Sequence, residues 1–162
     1  MHEKSIEILN AAVADELTAV HQYMYFHFHA SDQGYRPLGN MFKRIAIEEM
    51  LHIETLAERT LFLKGDVEMV PSGTVSKIHD VTEMLECARA MEEASAKLYN
   101  RFALKCGENA DSATKKIFET LVGDEERHYD MFDQQLDNIQ RFGERYLALQ
   151  SFEANPETPS AE

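Results

Sequence analysis

Two four-residue stretches, Glu49-Met50-Leu51-His52 and Glu125-Glu126-Arg127-His128, hold the residue types best suited to chemistry in this chain. Each is an E-x-x-H inside a long helical pattern. A spacing of three brings carboxylate and imidazole onto one helix face, a turn apart. In both stretches that face is the apolar one. A carboxylate in a core is costly unless a cation or hydrogen bonds compensate its lost hydration. Two further glutamates, Glu16 and Glu92, lie in apolar stripes, each 33 residues before the glutamate of an E-x-x-H. Each half of the chain therefore supplies one lone Glu and one E-x-x-H. That is the sequence form of a di-metal site in a helical bundle core.

Four carboxylates and two imidazoles give each of two metals one nitrogen and several oxygens. Oxygen-rich ligation with one nitrogen suits Fe(II) or Mn(II) better than zinc. Glu16 and Glu92 are read as terminal ligands, Glu49 and Glu125 as bridges, and His52 and His128 as the nitrogen donors. Four negative charges match two divalent cations, so a buried diferrous pair is neutral and is fit for a two-electron reaction with O2 or H2O2. Tyr23, two turns from Glu16, is placed either to hydrogen-bond a ligand or simply to pack the core. Glu93 and Glu126 point away from the ligands beside them and are expected in solvent. His21, His27 and His29 read as surface histidines, and His2 and His79 lie near helix ends.

Four long helices must position these groups. The first runs from about Ser5 to Ala30, with a stripe of Leu9, Val13, Val20 and Met24 around Glu16 and Tyr23. The second opens at Pro37, a favoured first-turn residue, and stops at Gly65, a favoured cap. Residues 65–79 lack helical periodicity and hold Gly65, Pro71 and Gly73, which reads as a crossover. Asp80 caps the third helix, whose stripe includes Leu85, Ala88, Glu92, Tyr99 and Phe102, and Gly107 ends it. Asp111 or Ser112 caps the fourth, which carries Phe118, Leu121, Glu125, His128 and Phe132. A short fifth segment spans Glu144 to Phe152. The expected fold is all-α: a ferritin-like four-helix bundle with one long crossover between helices two and three and a short C-terminal fifth helix. At about 1.5 Å per residue, Glu92 and Glu125 both stand roughly 20 Å from their shared loop, and Glu16 and Glu49 are level within about 5 Å. All six groups can share one layer.

Composition sets the bounds. The chain has 162 residues, enough for one domain with a real core, expected over 1–152, with a disordered tail at 153–162. A net charge of −13 argues against nucleic-acid binding and favours cations. No apolar run is long enough to span a membrane. The opening MHEKSIEILN carries Glu and Lys where a signal peptide needs an apolar run. Cys87 and Cys106, if on one helix, stand about 28 Å apart and cannot pair. A cytoplasmic location fits best.

The residues that carry this chemistry also resemble the bacterioferritins over most of the chain. Asp15 to Tyr23 (DELTAVHQY) is similar to the family's N-E-L-x-A-I-N-Q-Y, and Glu49 to His52 to its D-E-M-K-H stretch. Glu92 to Lys97 resembles E-x-x-x-A-K, and Asp124 to His128 resembles D-E-E-x-H. The resemblance implies a hollow shell of 24 subunits, built from two-fold dimers, in which Fe(II) is oxidised and ferric mineral stored. It also implies a b-type haem between two subunits, held by a methionine from each, and Met50 takes that position. A ferredoxin-type protein is the expected electron donor. The chain departs from the family at four places. Arg44 and Glu48 stand where a cavity-facing His and Asp are frequent, Leu56 replaces an aromatic, and Met131 replaces an inward tryptophan. The expected activity is ferroxidase, with iron storage. Alternatives are a rubrerythrin-type peroxidase without a store, which lacks its usual C-x-x-C here, and an assembly whose metal or haem is structural. A DNA-protecting mini-ferritin builds its site between subunits, which a complete ligand set in one bundle disfavours.

Overall fold

The computed structural model describes residues 2–152. Five helices follow in chain order: α1 (Glu3–Asp32), α2 (Arg36–Phe62), α3 (Val81–Glu108), α4 (Ser112–Phe142) and a short α5 (Glu144–Leu149). The described residues contain no strand. The expected all-α bundle forms, with helix ends within a turn of where the sequence put them. The tail expected from residue 153 lies outside the described residues.

The polar caps act as their types dictate. Asp80 accepts from the Glu83 backbone N–H at 2.9 Å, and Asp111 accepts from Thr114 N–H at 3.2 Å. The glycines do not. Lys64, not Gly65, takes the left-handed conformation after α2 (φ 66°), and the Gly65 N–H closes the turn onto Thr60 O at 3.0 Å. Gly65 is required for a different reason: a Cβ there would come within 2.6 Å of the Ile6 side chain. Gly107 likewise lies within α3, and Ala110 (φ 57°) makes the left-handed turn beyond it.

Helix α1 pairs along its length with α2, and α3 with α4, giving two αα-hairpins. Where they meet, two aromatic-rich clusters form. One gathers Tyr23, Phe26, Phe42, Met84, Leu85 and Phe132. The other gathers Leu9, Leu56, Tyr99, Phe102, Phe118 and Leu121. Glu16, Glu49, His52, Glu92, Glu125 and His128 are buried with them. At one end Arg59 of α2 reaches Asp111 (2.8 Å) and Thr114 Oγ1 (2.9 Å), tying α2 to the start of α4.

The crossover has no regular structure of its own and borrows partners from α1. Asn10 exchanges hydrogen bonds with Asp66 O and Glu68 N–H. Ser72 N–H reaches Ala14 O and Thr18 Oγ1, each at 3.0 Å. The buried Gln22 side chain pairs with both backbone groups of Ser76, at 2.7 and 3.0 Å. A backbone without ladder partners must find them in side chains or water, and the polar edge of α1 supplies them.

Candidate metal centre

Each hairpin delivers its share of the centre from two helices: Glu16 from α1, Glu49 and His52 from α2, Glu92 from α3, Glu125 and His128 from α4. The structure brings all six together. Two overlapping groups form, Glu16–Glu49–His52–Glu125 and Glu49–Glu92–Glu125–His128, each with donor atoms within 4.8 Å of one another. His52 Nδ1 lies 3.3 Å from Glu16, 3.4 Å from Glu49 and 3.0 Å from Glu125. His128 Nδ1 lies 2.6 Å from Glu49 and 3.7 Å from Glu92.

The donor set fits a pair of cations. Glu16 Oε2, both oxygens of Glu49, Glu92 Oε2, Glu125 Oε1 and His128 Nδ1 are buried and make no well-aligned hydrogen bond, despite the close imidazole–carboxylate approaches. Orphaned polar atoms are uncommon in a core and call for a bound species to satisfy them. Here they share one layer, and five of the six are oxygens of four carboxylates. Hard oxygen donors with one imidazole per group suit a first-row divalent metal.

Electrostatics agree. Burial pushes the Glu16 and Glu125 carboxyls well up, and the neighbouring carboxylates push the same way. Burial also raises Glu92. Glu49 goes down despite burial, because Glu16 and both histidines surround it. Burial alone would lower the imidazoles, yet the adjacent carboxylates carry His52 up to about 11 and His128 to about 10. Without metal, protons neutralise the crowded carboxylates.

A surrounding set of residues orients the ligands. His52 Nε2 is 3.0 Å from Asp124 and His128 Nε2 is 2.7 Å from Glu48, so each ring turns Nδ1 to the centre and Nε2 outward. Tyr23 donates to Glu92 at 2.7 Å while its ring packs on Phe42 and Phe132. Both sequence expectations for Tyr23 hold, although the ligand it serves is across the bundle. Tyr99 donates to Glu16 at 2.8 Å and also meets Asp15 at 3.0 Å, to which Ser95 donates at 2.6 Å.

Sequence reasoning missed Asp124, Asp15, Ser95 and the polar role of Tyr99. It also read Glu48 only as a departure on the cavity side, whereas Glu48 partners His128. A signal existed. The ligands repeat at an offset of 76 residues, and the same offset relates Tyr23 to Tyr99 and Glu48 to Asp124. Glu93 and Glu126 are exposed, as expected. Met50 is 51% exposed on α2, outside the cluster. His27 instead bonds Gly39 O at 2.7 Å, and His29 stacks on His79. Cys87 and Cys106 both lie on α3 and are free.

The ferritin family model, a ferritin-like domain, matches residues 6–142. The bacterioferritin of Desulfovibrio desulfuricans is 36% identical over 145 residues, covering 90% of this chain and 81% of its own. The chain belongs to the bacterioferritin family. A second bacterioferritin, from Rhodobacter capsulatus, is 37% identical and covers 90% of this chain and 91% of its own. The fold matches a crystal structure of the Desulfovibrio desulfuricans bacterioferritin, one of a set showing its diiron site in different catalytic states. The TM-score is 0.90 at 34% identity, over 98% of this chain and 94% of that one. Among the described residues, no helix is long and apolar enough to cross a membrane.

Proposed function

We propose that this bacterioferritin-family chain oxidises Fe(II) at the six-residue centre and stores the ferric product in a multi-subunit shell. One observation carries the reading: six buried ligand atoms without a well-aligned hydrogen bond, from four glutamates and a histidine, share one layer of the bundle. Glu49 and Glu125 belong to both ligand groups, which supports them as bridges, with Glu16 and Glu92 terminal and His52 and His128 as nitrogen donors. Two Fe(II) substrates lose one electron each. O2 takes both electrons and two protons and leaves as H2O2, or H2O2 takes both with two protons and leaves as two waters. The chain supplies spacing, charge balance and a site shielded from bulk water.

The domain is assigned to residues 1–152 and the location to the cytoplasm. The subunits are proposed to form a 24-mer built from two-fold dimers, with a ferredoxin-type protein as electron donor. Phe28, Ile47, Met50 and Leu51 are large apolar side chains left exposed on the α1–α2 hairpin, which supports a partner there. Met50 is assigned as the residue that would hold a haem b shared by two subunits. Its polarizable thioether, with Ile47 one turn before it, fits an apolar macrocycle, and the bound haem would supply one-electron transfer.

Titration of the metal-free protein with Fe(II) in air, counting irons retained per chain, tests the reading. Uptake far beyond two per chain is expected of a mineral-filled shell. Saturation at two with oxygen consumed identifies an oxidase or peroxidase without a store. No oxidation overturns the proposal.

A further inference from the structure

The two ligand histidines are each held from outside by one carboxylate, and both carboxylates meet the same guanidinium. Arg127 Nη2 sits on Glu48 Oε2, the atom that His128 Nε2 reaches at 2.7 Å. The same nitrogen lies 3.8 Å from Asp124 Oδ1, while Asp124 Oδ2 is 3.0 Å from His52 Nε2. Arg127 Nη1 faces Glu48 Oε1 at 3.5 Å and Met131 Sδ at 4.0 Å. We propose that Arg127 is a positioning residue, a clasp across the α2–α4 seam that fixes Glu48 and Asp124 and, through them, both ligand imidazoles, so that bound metal leaves slowly. This rests on the metal-centre reading above.

The chemistry of the groups carries the inference. Glu48 and Asp124 are each more than one-third exposed, at 36% and 38% of the side chain. A carboxylate that open turns readily toward water unless a cation holds it. The guanidinium is planar and forked, so it can meet two oxygens of Glu48 and still face Asp124, which a single ammonium cannot reproduce. The metal-facing atoms of both histidines are Nδ1, and their orientation is set by what Nε2 binds. Loss of the clasp leaves each histidine one partner that is itself unanchored. The α1–α2 hairpin has no second copy of the device, because the residue 76 positions earlier is the exposed Leu51.

The test loads assembled wild-type protein with Co(II) and compares it with Arg127→Ala, Arg127→Lys and Arg89→Ala. Arg89 makes a similar, partly exposed pair with Asp133, at 2.6 Å across α3 and α4, and serves as the control. The readouts are the visible Co(II) spectrum, its rate of decay in excess EDTA, and the melting temperature. Outer partners of metal-bound histidines are worth roughly 10–100-fold in affinity. Arg127 acts one bond further out and is half exposed, so release about fivefold faster is expected for Arg127→Ala. Arg127→Lys should recover part of the loss, and Arg89→Ala none of the effect. Wild-type release and spectrum in Arg127→Ala overturn the clasp, as does equal acceleration in Arg89→Ala. Should Arg127→Ala not assemble, Glu48→Gln must show the same faster release, and an unchanged rate there overturns the clasp too. Failure of the wild type to take up cobalt sinks the metal centre itself, a distinguishable result.

Discussion

The α1–α2 and α3–α4 hairpins are the same device built twice, and their differences separate what a metal pair needs from what was added. At the offset of 76, Glu16 answers Glu92, Glu49 answers Glu125, and His52 answers His128. Tyr23 and Tyr99 cross over, each donating to the terminal glutamate of the other hairpin. Glu48 and Asp124 cross over likewise, each accepting from a ligand histidine of the other hairpin. Every side chain hydrogen-bonded directly to one of the six ligands is thus paired, whereas the Asp15–Ser95 link, one step further out at Tyr99, is not. The unpaired positions are elsewhere: Met50 against Glu126, Leu51 against Arg127, and Asp15 against Met91. Asymmetry begins where the chemistry of the centre ends.

The equivalence of the halves is tested hardest by removing ligands. Glu49→Ala and His128→Ala should abolish fast Fe(II) oxidation, by roughly a hundredfold or more, and so should their mates Glu125→Ala and His52→Ala. Stopped-flow absorbance on the assembled proteins measures this, and wild-type rates in any of the four refute the site. Next, Met50→Ala should remove the haem absorption and leave iron oxidation intact, whereas Glu126→Ala should alter neither. Retained haem in the first would move the ligand elsewhere.

A third prediction concerns pH. The metal-free centre holds protons on imidazoles raised to about 11 and about 10 and on carboxyls raised by burial, and cations must displace them. Fewer protons are bound in the loaded state, so affinity rises with pH and falls as the solution is acidified. Each proton released makes affinity fall about tenfold per pH unit. Calorimetry with redox-inert Mn(II) in buffers of different ionisation enthalpy reads both quantities, and affinity independent of pH would contradict it. The smallest effects belong to the tyrosines. Tyr23→Phe should weaken Mn(II) binding about fivefold, since one hydrogen bond to a buried carboxylate is lost. Tyr99→Phe should cost more, because Asp15 loses a partner as well. Equal losses would show that Asp15 plays no part.

Most of the bundle was legible because helical periodicity and caps are local. Asp80 and Asp111 cap helices as their side chains dictate, and the 33-residue spacing of Glu16–Glu49 and Glu92–Glu125 announced the centre. What the sequence hid depends on contacts between hairpins. Tyr99 reads as one more aromatic in a stripe until α1 brings Glu16 opposite. Asp124 drew no reading of its own and Glu48 only that of a departure on the cavity side, since residues adjacent to a ligand on a helix point about 100° away from it. Across the α2–α4 seam the same angle aims them at a histidine of the facing helix. Gly65 and Gly107 misled for a related reason. Glycine is tolerated at a helix end for its freedom, but Gly65 is held there by the approach of Ile6, a contact about 60 residues distant in sequence.

The ligand groups also fix an order of events during synthesis. Each of the two sets of four donors draws on both hairpins, and neither can be completed from α1 and α2 alone. While the first half of the chain emerges and begins to fold, it holds Glu16, Glu49 and His52 as an open half-clamp. The full donor set is assembled only once α4 has been made and docked, so capture of metal by all four donors of either group follows the meeting of the two hairpins.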